Sequence, residues 1–419
     1  MLAGPPRLLV TTVGILLLLV LGWSYTRLIQ MSPAPLLRFD TSPPPPMAAL
    51  PARDPLDFSI PLKFKDGEAK PPGSNYSWVI VVPKTKKEDL SWFEKEIPEA
   101  QLVVYEVDNP MAKHKIPKNK GREAMVYLSY MIDNYDELPD TTIFMHAHQR
   151  AWHNNLLLGQ DAAPMIKRLN HERVARMGYM NVRCHHEPGC PDWIHMDRPG
   201  GDLDFYRKPE EIHWRRNVWE EIHPGAPIPF SLSGVCCAQF ALSRDRIRQV
   251  PIERLHHYRQ WLINTSMDDQ YSGRVFEYIW HYIFTGHEVY CPAQNSCYCD
   301  GYGVCFGGRQ NYEDYWAKSD QRDKDWNALE GYIKQAEEAE KKGETKVWSQ
   351  KEQWKMEELR DAIVHADEWL KRMRDDAFMR GDNLKARAAE TENHDSSKIW
   401  DYAPEPEEYE AVGLNLGVV

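Results

Sequence analysis

At 419 residues the chain has room for two or three domains, and its composition is uneven along its length. A formal net charge of -11 excludes non-specific nucleic-acid binding as a main role. It does not exclude a compact anionic ligand, which a local cluster of Arg and Lys could still hold.

Residues 8–23, LLVTTVGILLLLVLGW, form a long apolar run with no charge inside it. The run is at the short end for a membrane span. The following GWSYTR lacks a good small-x-small cleavage site, so the reading is an uncleaved signal anchor over 8–25, after a cytosolic N-terminus at 1–7. Arg7 and Arg27 bracket the span almost symmetrically and do not set its orientation. All eight Cys lie between Cys184 and Cys305, and Asn75 and Asn264 each begin an N-x-S/T acceptor site. Together these predict a single-pass, type II membrane glycoprotein of the Golgi or endoplasmic reticulum. Residues 26–75 are rich in Pro, including Pro43–Pro46, and read as an extended stem.

An α/β domain is expected over 76–310. Trp78–Pro83 is a short buried strand, Glu88–Ile97 a helix stopped by Pro98, and Gln101–Val107 a second strand ending at Asp108. Gly121–Tyr135 is a helix whose apolar face is Ala124, Leu128, Met131, Ile132 and Tyr135. Thr141–Met145 is the third strand. This alternation predicts a mostly parallel, right-handed sheet flanked by helices, a Rossmann-type half. Ala162–Arg176 reads as a helix, Tyr179–Arg183 as a strand, and 210–221 as a short helix among loops. Val235–Leu242 is a further strand, and Ile252–Ile263 and Arg274–Thr285 are helices, the second ended by Gly286. A charged helical region follows at 311–390. In it Met356, Leu359, Ile363, Ala366, Leu370, Met373 and Ala377 form a short heptad seam, which suits either self-association through 356–377 or docking on the main domain. The acidic tail at 391–419 reads as disordered.

The third strand runs straight into TTIFMHAHQRAW, Thr141–Trp152. Side chains alternate along a strand, so His146 and His148 would face the same way, at the carboxyl edge where open α/β sheets bind ligands. With His153 and Gln149 close behind, they could hold a divalent metal or polarise a substrate. Asn119-Lys120-Gly121-Arg122-Glu123 opens the second helix. Free N–H groups there favour an anion, and Lys118, Lys120 and Arg122 add positive charge, so the turn could cradle a diphosphate. Asp108 at a strand end could accept from a ribose. Glu277 and His281 share a helical face, and Asp268 and Asp269 stand just upstream. Glu277, Asp269 and His281 are the candidate catalytic residues, with Asp268 read as a helix cap. Cys291, Cys297, Cys299 and Cys305 lack paired metal-knuckle spacing and read as disulfide partners. Cys184 and Cys190 could close a small loop. Cys236 and Cys237 would alternate across their strand, leaving one free.

The segment GREAMVYLSYMIDNYDELPDTTIFMHAH, with AQFALSRDRI and FEYIWHYIFTG downstream, resembles a fungal, membrane-anchored domain family of unknown function. Members of that family are similar to nucleotide-sugar-dependent glycosyltransferases. The resemblance spans about half the chain, from Trp78 to Gly286. The Asn119-x-Gly121-Arg122-acid pattern is also similar to an element of some polysaccharide-building transferases. The resemblance implies a glycosyltransferase A-like fold, a nucleotide-sugar donor, a glycan or glycoprotein acceptor and a manganese or zinc ion. Such transferases usually carry an Asp-x-Asp at the end of the corresponding strand. Here that position reads His146-Ala147-His148, which would offset less of a cation's charge. Sugar transfer is the leading expectation. A metal-dependent hydrolase using His146 and His148, and a non-catalytic tethered interaction module, are the alternatives.

Overall fold

In the computed structural model, which describes residues 54–190, 193–196 and 216–392, the three expected strands form as Trp78–Lys84 (β1), Leu102–Glu106 (β2) and Thr141–Phe144 (β3). Alternation along them divides the interior in two. Val79, Val81 and Phe144 point to one face, where they pack with Glu123–Asp133 (α2), Ile252–Asn264 (α7) and Asp269–Thr285 (α8). Ile80, Val82 and Ile143 point to the other, beside Ser91–Glu96 (α1), Ala162–Arg168 (α3) and Gln294–Tyr302 (α9). Burial on both faces is what a near-continuous apolar strand demands.

The sheet order is β2-β1-β3-β6-β4, where β4 is Tyr179–Asn181 and β6 is Phe240–Ser243. β1 pairs in parallel with β2 and β3, but β6 runs antiparallel to both β3 and β4. The sheet is therefore mixed, which corrects the mostly parallel expectation. Periodicity reports which residues face the core and carries no sign of strand direction. Ser233–Gly234 (β5) and Val289–Tyr290 (β7) form a separate parallel pair.

Other expectations are refined. The helix over 162–176 is broken at Leu169-Asn170, and Asn170 caps His171–Met177 (α4) by accepting from Glu172 N. The helix expected over 210–221 is described at Arg216–Ile222 (α5), its earlier residues lying outside the described set. β6 is followed directly by Arg244–Gln249 (α6). Gly286 ends α8 with a left-handed φ of 74°, as read from sequence. Residues 54–75, assigned to the stem, pack on the body. Phe58 is buried, and Arg254 donates to the Pro55 and Asp57 carbonyls.

The cysteines pair as Cys184–Cys297, Cys190–Cys291, Cys299–Cys305 and Cys236–Cys237. The first two staple the exit of β4 to the 291–297 segment. This corrects the small Cys184–Cys190 loop. It also corrects the free cysteine at 236 or 237. Strand geometry begins only at Phe240, so these neighbours do not alternate.

Arg309–Lys341 (α10) and Gln350–Asp382 (α11) lie against each other, and Leu384–Glu392 (α12) follows. A Ser349–Glu352 capping box starts α11. The heptad seam faces this chain itself. Leu359 and Ile363 cluster with Leu329, while Leu370 and Ala377 join the core beneath α9. No helix among the described residues is long and apolar enough to cross a membrane. That corrects the expectation of a type II membrane protein of the Golgi or endoplasmic reticulum. Residues 8–25, on which it rested, lie outside the described residues, as do 1–7 and the acidic tail from 393.

Candidate functional site

The carboxyl edge of β3 collects side chains from distant parts of the chain. The crossover from β2 starts α2 there, at Arg122 and Glu123. Because β6 is antiparallel, with Phe144 opposite Phe240, residues 236–239 arrive at the same edge. β4 lies antiparallel to β6, so its exit brings Arg183 there as well.

His146 follows the strand end and is largely buried. Its backbone N donates to Gln239 Oε1 at 3.1 Å, and Gln239 Nε2 donates to Asn154 Oδ1 at 3.0 Å. Both amide side chains are buried, so this chain of bonds fixes the segment that carries the imidazole. His146 Nδ1 lies 3.2 Å from His153 Nε2. Burial, with His153, His148 and Arg122 adding to it, lowers the His146 pKa to about 3. Burial, Arg183 and His148 lower His153 to about 4. Both rings are neutral at pH 7, and His146 Nε2 is buried without a hydrogen-bond partner. His148 behaves differently. Its side chain is exposed, with Nε2 3.5 Å from Glu88 Oε1. The strand ends at Phe144, so the alternation that predicted a matched pair stops two residues too early.

Arg122 sits at φ 49°, a left-handed backbone rare for a branched-out side chain, and its guanidinium is exposed. Gly121 precedes it at φ 73°, where a Cβ would lie 2.5 Å from Leu262 Cδ2. The turn thus requires glycine on two counts. Glu123 opens α2 with its carboxyl half-buried. Burial raises its pKa to about 7, and the nearby Glu277 charge pushes the same way, against Arg122 and Arg274. Glu277 is already engaged. Its Oε1 accepts from Cys237 N at 2.9 Å and its Oε2 lies 3.3 Å from Arg274 Nη1. The Cys236–Cys237 disulfide forms the far wall, with Cys237 at φ 88° and Ala238 at φ 46°. Arg183 Nη1 lies 3.9 Å from Cys237 Sγ, and the Arg183 guanidinium lies 5.3 Å from the Trp152 ring.

The remaining candidates are distributed around this centre. Asp269 Oδ1 accepts from Arg122 N at 3.2 Å, so it already satisfies one N–H of the proposed diphosphate cradle. Asp268 caps α8 by accepting from Tyr271 N. Lys118 and Lys120 donate to the Ile263 and Thr265 carbonyls at the end of α7, while Arg122 and Lys118 are both exposed on that turn. Asn119 is exposed on the same turn. Asp108 accepts from Lys86 N at 3.0 Å, a tie between the ends of β1 and β2. Gln149 donates to Asp161, the cap of α3. His281 is buried in the core with Nε2 3.0 Å from the Glu288 carbonyl, a packing role rather than a catalytic position.

A metal on His146, His148 and His153 fits poorly. The facing His146 and His153 nitrogens could share an ion, but His148 is turned to Glu88. Among the described residues, the groups of three close donors are Cys236–Cys237–Glu277 and Cys299–Cys305–Glu390. Their sulfurs are closed into disulfides, and a disulfide offers no thiolate. Two neutral imidazoles also suit manganese less than oxygen ligands do.

Residues 80–300 match the family described as a protein of unknown function, DUF3431. The chain belongs to that family. The match runs from within β1 through β2, β3, β4 and β6 and contains the side chains gathered at the carboxyl edge of β3. No curated protein and no solved structure matches the chain.

Sequence reading missed Arg183, Gln239, Trp152 and the role of the Cys236–Cys237 wall, and it gave Glu123 a binding role only.

Proposed function

We propose that the chain is a nucleotide-sugar-dependent glycosyltransferase. One observation carries the reading: a half-buried carboxyl, Glu123, held near neutrality beside an exposed Arg122 and two neutral imidazoles, all at the carboxyl edge of the sheet. Ligands of open α/β sheets lie at such edges.

In this reading Arg122 pairs with the diphosphate of the donor, and the charge it offsets grows as the leaving group departs. His146 and His153 are neutral and share one hydrogen bond, so one ring of the pair keeps an N–H that can donate to a phosphate oxygen without adding charge. Glu123 removes the proton from an acceptor hydroxyl. That oxygen bonds the anomeric carbon while the bond from that carbon to the diphosphate breaks, and the nucleoside diphosphate leaves. A carboxylate with a pKa of about 7 is well matched to this proton transfer at neutral pH. Glu277, expected as base or orienter, holds Cys237 N, which suits the orienting role.

Calorimetric titration with a panel of nucleotide sugars tests the reading. Saturable binding by at least one donor is expected, weakened about tenfold in Arg122→Ala. If no donor binds, the proposal fails.

A further inference from the structure

Trp152 stands at the rim of this site and is 62% exposed. A single exposed apolar residue needs no explanation on its own. This one is held in place. The Arg183 guanidinium lies over the indole at 5.3 Å, and Arg183 is itself buried, its position set by a bond to the Glu187 carbonyl and by Cys237. The His153 ring meets the indole nearly edge-on, with centroids 5.6 Å apart at 79°. His153 in turn touches His146. The ring is therefore fixed by two residues that belong to the site, and its open surface remains in water. Arg150, two positions earlier, is also exposed and pairs with Asp161 at 3.4 Å.

A flat, half-wet indole held by Arg183 and His153 suits a ligand with one apolar face and a polar rim. A pyranose ring has that character, since its C–H groups cluster on one face and its hydroxyls project around the edge. A phosphate or a peptide backbone has no apolar face to place on the indole.

We infer that Trp152 is a stacking platform for a pyranose unit of the acceptor saccharide, held by Arg183 and His153. The assignment rests on the glycosyltransferase reading for the word acceptor, but the platform itself is testable without it.

The full chain is titrated by calorimetry with short oligosaccharides of glucose, mannose and galactose, and separately with nucleotide sugars. Wild type, Trp152→Ala and Trp152→Phe are compared. The expected result is saccharide binding weakened about tenfold or more in Trp152→Ala and kept within about threefold in Trp152→Phe. Nucleotide-sugar binding should stay unchanged in both. Saccharide affinity that survives Trp152→Ala overturns the assignment, as does wild type binding none of the saccharides. Loss of nucleotide-sugar affinity alone also overturns it, because the indole would then stack on the donor's base. Trp152-dependent saccharide binding in a protein that binds no nucleotide sugar keeps the platform and removes the transferase.

Discussion

Two carboxylates stand at opposite ends of β3 and have opposite fates. Asp140, at the amino end, is satisfied from several sides. Lys70 Nζ, Ser77 N and Ser77 Oγ donate to one oxygen at 2.7–2.8 Å, and Arg244 Nη2 donates to the other at 2.8 Å. Burial pushes its pKa up, but the bonds from Lys70 and Ser77 outweigh that and hold it at about 2. Glu123, at the carboxyl end, is buried more than it is compensated and rises to about 7. The lesson is that the fold spends its donors where connection is needed and withholds them where chemistry would occur. Asp140 ties residues 70–77 and the start of α6 to the strand, whereas Glu123 holds a proton it can give up near neutral pH.

The sharpest way to break the comparison is Glu123→Gln. If Glu123 is the base, turnover falls by roughly 10²–10⁴-fold while donor affinity changes little. In wild type, turnover should rise as pH passes upward through about 7, because only the ionised carboxylate accepts a proton. A flat profile between pH 5.5 and 8.5, or full activity in the variant, would remove Glu123 from the chemistry.

Asp140→Asn should leave binding intact and cost about 1 kcal/mol of stability in urea denaturation, because solvent screens part of the interaction. The sign follows from the lowered pKa. The unfolded carboxyl titrates near its usual value of 3.8, so the stabilisation is present above that pH and is lost as pH falls towards about 2.

The buried imidazoles sharpen the contrast on the acid side. His281 is lowered to about 4 by burial, against the bond to Glu288. An unfolded imidazole takes up its proton near pH 6.5, whereas this one waits until about 4. Its contribution is therefore complete above 6.5 and lost as pH falls, by about 2 kcal/mol at pH 5. Denaturation of wild type and His281→Gln at pH 7 and pH 5 checks this. The wild type should lose more stability on acidification than the variant.

The smallest expected effect on stability is that of Arg122→Ala, about tenfold in donor affinity with unchanged thermal stability, because its guanidinium is exposed. The effect should shrink as salt is added, since exposed charges are screened. Salt-independent weakening would mean that the left-handed turn, not the charge, had been disturbed.

Much of the scaffold is legible in the residues themselves. WVIVVP, QLVVYEV and TTIF are short, apolar and β-branched, which marks them as strands, and the three-and-four spacing from Ala124 to Ile132 marks a helix, although the structure buries that helix on every side rather than on one face. The glycine at 286 announces a helix end. These are local signals, and each sets its own backbone. The site was legible in outline only. The edge of β3 was found because strands deliver residues there, and Arg122 and Glu123 because a helix starts there. His148 was over-read, since the end of a four-residue strand is decided by what it pairs with, Val81 and Phe240 opposite Phe144.

What the chain alone determined, then, is the first three strands, the main helices of the body and the helix start at Gly121. What only the tertiary structure decided is the reversed direction of β6, the partners of the cysteines and the proton affinity of Glu123. Each of these depends on contacts that no local pattern encodes, some between groups far apart in the chain, such as Cys184 with Cys297 or Glu123 with Glu277. Periodicity is a property of neighbours along the chain. A pKa or a disulfide is a property of neighbours in space, and burial by distant helices fixes it.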